Sequence, residues 1–206
     1  MRPVEVTHIG SLTTTGNSTP KSMGNIVVPR TGLVVVTAFV MGSSSARLTG
    51  ISIGGSAATL EAYNTALTIK RGIGWRQVAA AGTLDVTISL SGSNGSNTLW
   101  HISAFLLENL KDTTPYLVSL PANFASNTTA SVTLSSVKKG SFVAFGVGTS
   151  GTKTYSWSTA TPVSSASESS NTAGYAYKAA AASGTHTETA SWSGATTGAV
   201  IAAAWR

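Results

Sequence analysis

Cysteine is missing from the chain. That excludes a disulfide framework, thiolate chemistry and cysteine-ligated zinc. Charge is scarce too: 10% of the 206 residues are Asp, Glu, Lys or Arg, against about 25% in an ordinary soluble domain. The longest strongly apolar run, Leu33 to Met41, falls far short of the roughly 20 residues of a membrane-crossing helix. The opening Met-Arg-Pro-Val-Glu-Val-Thr-His has no apolar core of signal-peptide type. Neither a classical export signal nor a membrane anchor is expected. Long segments of 3.6-residue period are also missing. Only 56–68 and 178–182 have the propensity for a short helix, and Ala-rich strand edges account for both.

Ser, Thr, Gly, Ala and Asn stand where charges would be. A surface of such residues is usual in secreted or virion-type β-proteins and unusual in a cytosolic enzyme. Thirteen bases face seven acids, for a net charge of +6. The bases are dispersed, with only Lys70-Arg71 and Lys138-Lys139 adjacent. A nucleic-acid stripe needs clustering, so direct nucleic-acid binding is not expected. The mild positive bias suits an acidic partner surface.

Period-2 alternation dominates. Thr83 to Leu90 alternates apolar residues with Thr, Asp and Ser, and 91–97 follows as a Gly/Asn turn. Ile51 to Leu60 reads as a hairpin turning at Gly54-Gly55. Further strands are expected near 33–41, 66–71, 98–107, 131–137, 141–148, 174–180, 185–193 and 198–205. Two polar stretches stand apart: 11–24 as a flexible connection behind a short N-terminal strand, and 158–173 as an exposed loop.

The chain also repeats itself. Residues 74–92 lie over 176–194 at a constant offset of 102, aromatic on aromatic (Trp75, Tyr177), base on base (Arg76, Lys178) and glycine on glycine. Gly32–Val36 resembles Gly140–Ala144, and Leu99–Phe105 resembles Ala199–Trp205. The expected architecture is an all-β, two-layer antiparallel β-sandwich of jelly-roll type. Residues 1–24 form an N-terminal strand and polar arm. Residues 25–206 form one sandwich whose pseudo-equivalent halves cover about 32–110 and 140–206.

Four strands are apolar on both faces: 33–41, 99–107, 142–147 and 199–205. A two-layer sandwich buries only one face, so the chain's own loops or a neighbouring subunit must cover the other. A subunit is the favoured reading because the loops are so polar. Candidate subunit-interface residues are Val34, Val36, Phe39, Trp100, Phe105, Phe142, Phe145 and Trp205. Tyr155, Trp157, Tyr175, Tyr177 and Trp192 are candidate contacts for a glycan or a protein, since such rings stack on sugars and anchor interfaces. Core filling is their commoner role.

No catalytic constellation is evident. No spacing of acids suggests the paired carboxylates of a glycosidase. Three histidines at 8, 101 and 186 give no metal-ligand spacing. His186 and Glu188 stand where the repeat has Leu84 and Val86, so they share a strand face. They could hold one ligand, although a frayed strand end or self-neutralisation is the simpler account. Gly146 to Gly151 matches G-x-G-x-x-G, but a strand-like segment follows it and not the helix a dinucleotide site requires. Two S-x-x-K matches lack their partner motifs. The expectation is no enzyme, no metal and no cofactor.

Residues 51–60, 82–92 and 199–205 together resemble the Gly/Ala/Ser/Thr-rich β-sandwich virion structural proteins of tailed phages. The resemblance covers about 32–206. It implies a capsid decoration or cement protein, or a head-fibre or tail-fibre module, assembled in the host cytoplasm and extracellular when released. The implied partners are further copies of the chain, a trimer at three-fold shell positions being one form, and the major capsid protein or another virion protein. The alternative is a receptor- or glycan-binding module of a phage fibre or bacterial adhesin, with a cell-surface glycan as partner.

Overall fold

A computed structural model describes residues 4–42, 45–63, 69–92, 95, 98–120, 123–168 and 170–206. The alternating and doubly apolar segments all become strands, and no helix occurs among the described residues. Three antiparallel sheets result, none of them closed. The chain divides into two compact units, Glu5–Asn109 and Leu110–Arg206, the short segment before Glu5 grouping with the second.

Among the described residues the first unit holds nine strands: β1 (Glu5–Thr15), β2 (Lys21–Val28), β3 (Gly32–Met41), β4 (Arg47–Ile53), β5 (Ser56–Ala57), β6 (Thr59–Tyr63), β7 (Ile69–Val78), β8 (Gly82–Ser91) and β9 (Leu99–Glu108). One sheet runs β1-β9-β3-β7-β6 and the other β2-β8-β4-β5. The core takes alternate residues from both. Val34, Val36, Ala38 and Val40 come from β3, Trp100, Ile102, Ala104 and Leu106 from β9, and Val86, Ile88 and Leu90 from β8. Each buried aliphatic side chain contributes about 1.5–3 kcal/mol. The turn at Gly54 and Gly55 has φ of 59° and 75°, the left-handed pair that a tight hairpin needs. A Cβ on Gly72 would come within 2.5 Å of Leu48 Cδ2, so this glycine lets β4 pack close to β7.

The second unit holds β10 (Leu117–Ser119), β11 (Phe124–Val137), β12 (Phe142–Ser150), β13 (Ser156–Trp157), β14 (Thr161–Glu168), β15 (Asn171–Ala179) and β16 (Gly184–Trp205). Its sheet runs β10-β16-β12-β15-β14, and β11 and β13 also pair with β16. The 22-residue β16 serves twice. Its first part pairs with β11 and β13, and its last part with β10 and β12. Between them Gly194 has φ of 71°. The core again combines both parts: Ala190 and Trp192 from the first, Val200, Ala202 and Ala204 from the second.

The two units carry the same strand order. β1-β9-β3-β7-β6 corresponds to β10, the last part of β16, β12, β15 and β14. β2-β8-β4 corresponds to β11, the first part of β16 and β13. The ladders fix the equivalence: Val34 pairs with Arg76 and Leu106, as Val143 pairs with Lys178 and Ala204. Trp75 and Tyr177 occupy equivalent strands.

Two expectations are corrected. Residues 11–24, read as a flexible connection, are strand over most of their length, in β1 and β2. Residues 158–173, read as an exposed loop, contain β14 and the start of β15. Both segments lack apolar pattern but gain backbone ladders, supported by hydroxyl bonds such as Ser11 to Ser103, Ser22 to Thr87 and Ser167 to Thr172. The strand expected near 66–71 begins at Ile69; residues 66–68 lie outside the described ones, as do 1–3 of the arm, 64–65 of the helix-prone stretch, 93–94 and 96–97 of the turn, and 169 of the 158–173 stretch.

Candidate functional site

The four doubly apolar strands have both faces buried in the single chain. All ten residues of β3 are buried, as are Leu99–Leu107, the first eight of β12 and 198–205. Alternation sends Val34, Val36, Trp100 and Phe145 into the core of their own unit. Phe39, Phe105, Phe142 and Trp205 lie on the opposite faces and are no more than 1% exposed. None of the eight presents its side chain to solvent. Val27, 63% exposed, is the one exposed large hydrophobic among the described residues.

The five candidate contact aromatics separate into two sets. Tyr155, Trp157 and Trp192 converge on the second unit's core. Trp192 stacks on Phe124 at 5.5 Å and meets Tyr155 edge-on at 5.9 Å, while its Nε1–H donates to Asn127 O. The Tyr155 hydroxyl donates to Thr172 O at 2.8 Å and lies 2.7 Å from Thr149 Oγ1. Burial pushes this phenol's pKa well up, and the hydroxyl bonds with Thr149 oppose the shift. Tyr175 and Tyr177 sit on the other face of β15. Tyr175 is fully buried, and Tyr177 is half-buried beside Phe142 at 5.8 Å. Phe124 was not among the residues singled out from the sequence; its flanks are polar and offer no apolar pattern.

Glu5, Asp85, Glu108 and Glu188 go to structural partners. Arg30 lies between Glu5 (3.8 Å) and Glu108 (3.5 Å). Asp85 accepts the backbone N–H of Asn25 at 3.0 Å, where β2 bulges with Asn25 at φ of 56°. An open depression bounded by Asn25, Gly54, Gly55, Thr83, Leu84 and Asp85 lies beside that bulge. Among the described residues no three His, Asp or Glu side chains gather as metal ligands. Gly146 and Gly148 lie inside β12, and the segment after Gly151 leads to β13 without a helix.

His186 and Glu188 do not bind one another. His186 Nε2 lies 2.9 Å from Ala182 O. Glu188 is 1% exposed and faces the core, as Val86 does in the first unit. Its carboxylate accepts from Ser158 Oγ (2.9 Å), Thr159 N (2.8 Å), Thr159 Oγ1 (2.6 Å), Ala160 N (3.1 Å) and Lys178 Nζ (3.0 Å). Burial alone would raise this carboxyl, but the bonds from Thr159, Ala160 and Lys178 outweigh it and hold the pKa at about 2. The repeat shows that Glu188 is out of pattern and matches Lys178 with Arg76, whereas the donors from Ser158, Thr159 and Ala160 come from a segment whose sequence reads as loop.

The first unit has buried polar groups of its own, Lys70, Arg71 and His101 among them. His101, 1% exposed, shares a 2.7 Å bond with Thr13 Oγ1. Burial lowers its pKa to about 4. Next to it Ser103 Oγ, Ser11 Oγ and His8 Nε2 form a chain at 2.8 and 2.9 Å along the β1–β9 seam.

Compared with protein-family models, the chain gives no match. Comparison with curated proteins and with solved structures gives no significant match either.

Proposed function

We propose that the chain is a non-enzymatic virion structural protein, an oligomeric capsid decoration or cement protein that stabilises a tailed-phage head, built from jelly-roll-like sandwich halves. The carrying observation is the doubling of one strand order, with β3, β9, β12 and the last part of β16 buried on both faces. Many of the hydroxyl groups in each unit bond to one another across its ladders. The chain's surface, poor in charge and rich in Ser and Thr, opposes close lateral approach less than a charged one does. Since the eight aromatic and aliphatic candidates are buried, copies meet through polar surface and edge strands such as β1 and β14, and the shell lattice supplies the symmetry.

Particles made without the chain test the reading. Heads lacking it should release their genome at lower temperature, adding the purified protein back should restore the wild-type value, and adsorption to cells should be unchanged. Full head stability together with lost adsorption would reject the cement reading in favour of a receptor- or glycan-binding fibre module.

A further inference from the structure

Two units with one strand order share one chain, so β8 could in principle compete with the first part of β16 for the same neighbours. Tandem repeats of this kind are prone to misassembly. We propose that the buried Glu188–Lys178 network is a pairing-specificity device that keeps the strands of each unit with their own partners.

The register locates the device. Glu188 pairs with Val132 of β11 where Val86 pairs with Met23 of β2. Lys178 of β15 stands where β7 has Arg76. Both cations reach the segment beside the short-sheet strand: Arg76 Nη1 donates to Ile53 O, and Lys178 Nζ donates to Thr159 Oγ1 and Glu188 Oε2. If β8 took the place of the first part of β16, Val86 would leave the Lys178 ammonium, two backbone N–H groups and two hydroxyls without their acceptor. If β16 entered the first unit, its carboxylate would face Met23 and Ile53, with one guanidinium already engaged in place of five donors. Buried polar groups left unpaired disfavour both exchanges. Flanking contacts offer no such discrimination, because Thr87 bonds Ser22 and Thr189 bonds Ser131 at the same 2.8 Å.

Because native cysteine is absent, disulfide trapping reads the pairing directly. The T87C/S131C pair links only if β8 lies on β11, and S131C/T189C reports the native pairing. The full chain is refolded in a thiol–disulfide buffer, and the linked peptides are counted by mass spectrometry. The T87C–S131C link should stay at background with the network intact and rise by about tenfold or more in E188V/K178M. Equal yields in both, or a strong link with the network intact, overturn the proposal. If E188V/K178M fails to form the native S131C–T189C link, E188Q decides. It keeps the shape and should still raise the crossed link, and a link at background in E188Q overturns the proposal.

Discussion

The two units place opposite chemistry at one position. In the first, Val86 packs between Met23 and Ile53 in an apolar core. In the second, Glu188 occupies the same place and collects five hydrogen bonds. The exchange is compatible with one topology because the 158–160 segment turns its backbone and hydroxyl donors inward. A second substitution runs the other way. Trp100 pairs with Val40 and fills the first core, whereas its counterpart Gly198 pairs with Thr149 and carries no side chain. Phe124, from β11, occupies that space, so close that a Cβ on Gly198 would collide with its ring. What the units share is the strand order and the need to fill one volume. Which strand supplies the filler is free.

The comparison breaks most severely at Glu188. E188V should cost the second unit about 3–5 kcal/mol, because Lys178 and four further donors lose their acceptor. Val86→Ala, a cavity in an apolar site, should cost the first unit about 1–3 kcal/mol. Amide exchange resolved by strand, at fixed denaturant, separates the two.

The fillers come next. Phe124→Ala and Trp100→Ala should each cost about 3–5 kcal/mol at most, as cavities beside Gly198 and Val40. Trp192 fluorescence reports the former, and amide exchange in β3 and β9 the latter. Similar losses would confirm that the rings are interchangeable fillers, while a silent Phe124→Ala would show that the stack on Trp192 contributes nothing.

Acid should separate the units. His101 is neutral in the folded chain down to about pH 4, while the unfolded imidazole takes up its proton near pH 6.5. The first unit therefore loses stability as pH falls from about 6.5 to 4, by about 3 kcal/mol in all. Glu188 has its pKa held at about 2, below the usual 4.5. Its contribution is present above pH 4.5 and is lost as pH falls toward 2, again by about 3 kcal/mol. Denaturation midpoints at pH 7, 5 and 3 should fall first for β3 and β9, then for β12 and β16. The reverse order would contradict the assignment.

The smallest effect belongs to the exposed hydroxyl pairs. Thr133→Val removes one bond to Thr187 on a solvated face and should shift stability by less than about 1 kcal/mol.

Much of the fold is legible in the sequence because alternation sets register. Thr83–Leu90 and its repeat at 185–192 align correctly, and the odd position of Glu188 is visible from that alignment alone. Doubly apolar strands carry no alternation, so their register is not legible. Gly32 aligns with Gly140 and Leu99 with Ala199 by composition, yet the ladders match Val34 with Val143 and Leu106 with Ala204. A strand apolar on both faces also does not show what covers its second face, and eight residues buried within the single chain therefore read as interface candidates. Strand β14 and the first half of β11 are hidden for a different reason. Both are rich in Ser and Thr and are held by backbone ladders and hydroxyl bonds, which leave no alternating apolar pattern. The donors around Glu188 are hidden because contacts about 30 residues apart in a polar stretch have no periodic signal.

Locating the chain on intact particles by cryo-electron microscopy with gold-labelled antibody tests the structural reading most directly. The account predicts label distributed over the head in fixed ratio to the major capsid protein, with density that resolves two similarly built β-units per copy. Label confined to the tail tip, or particles free of the chain, would contradict it.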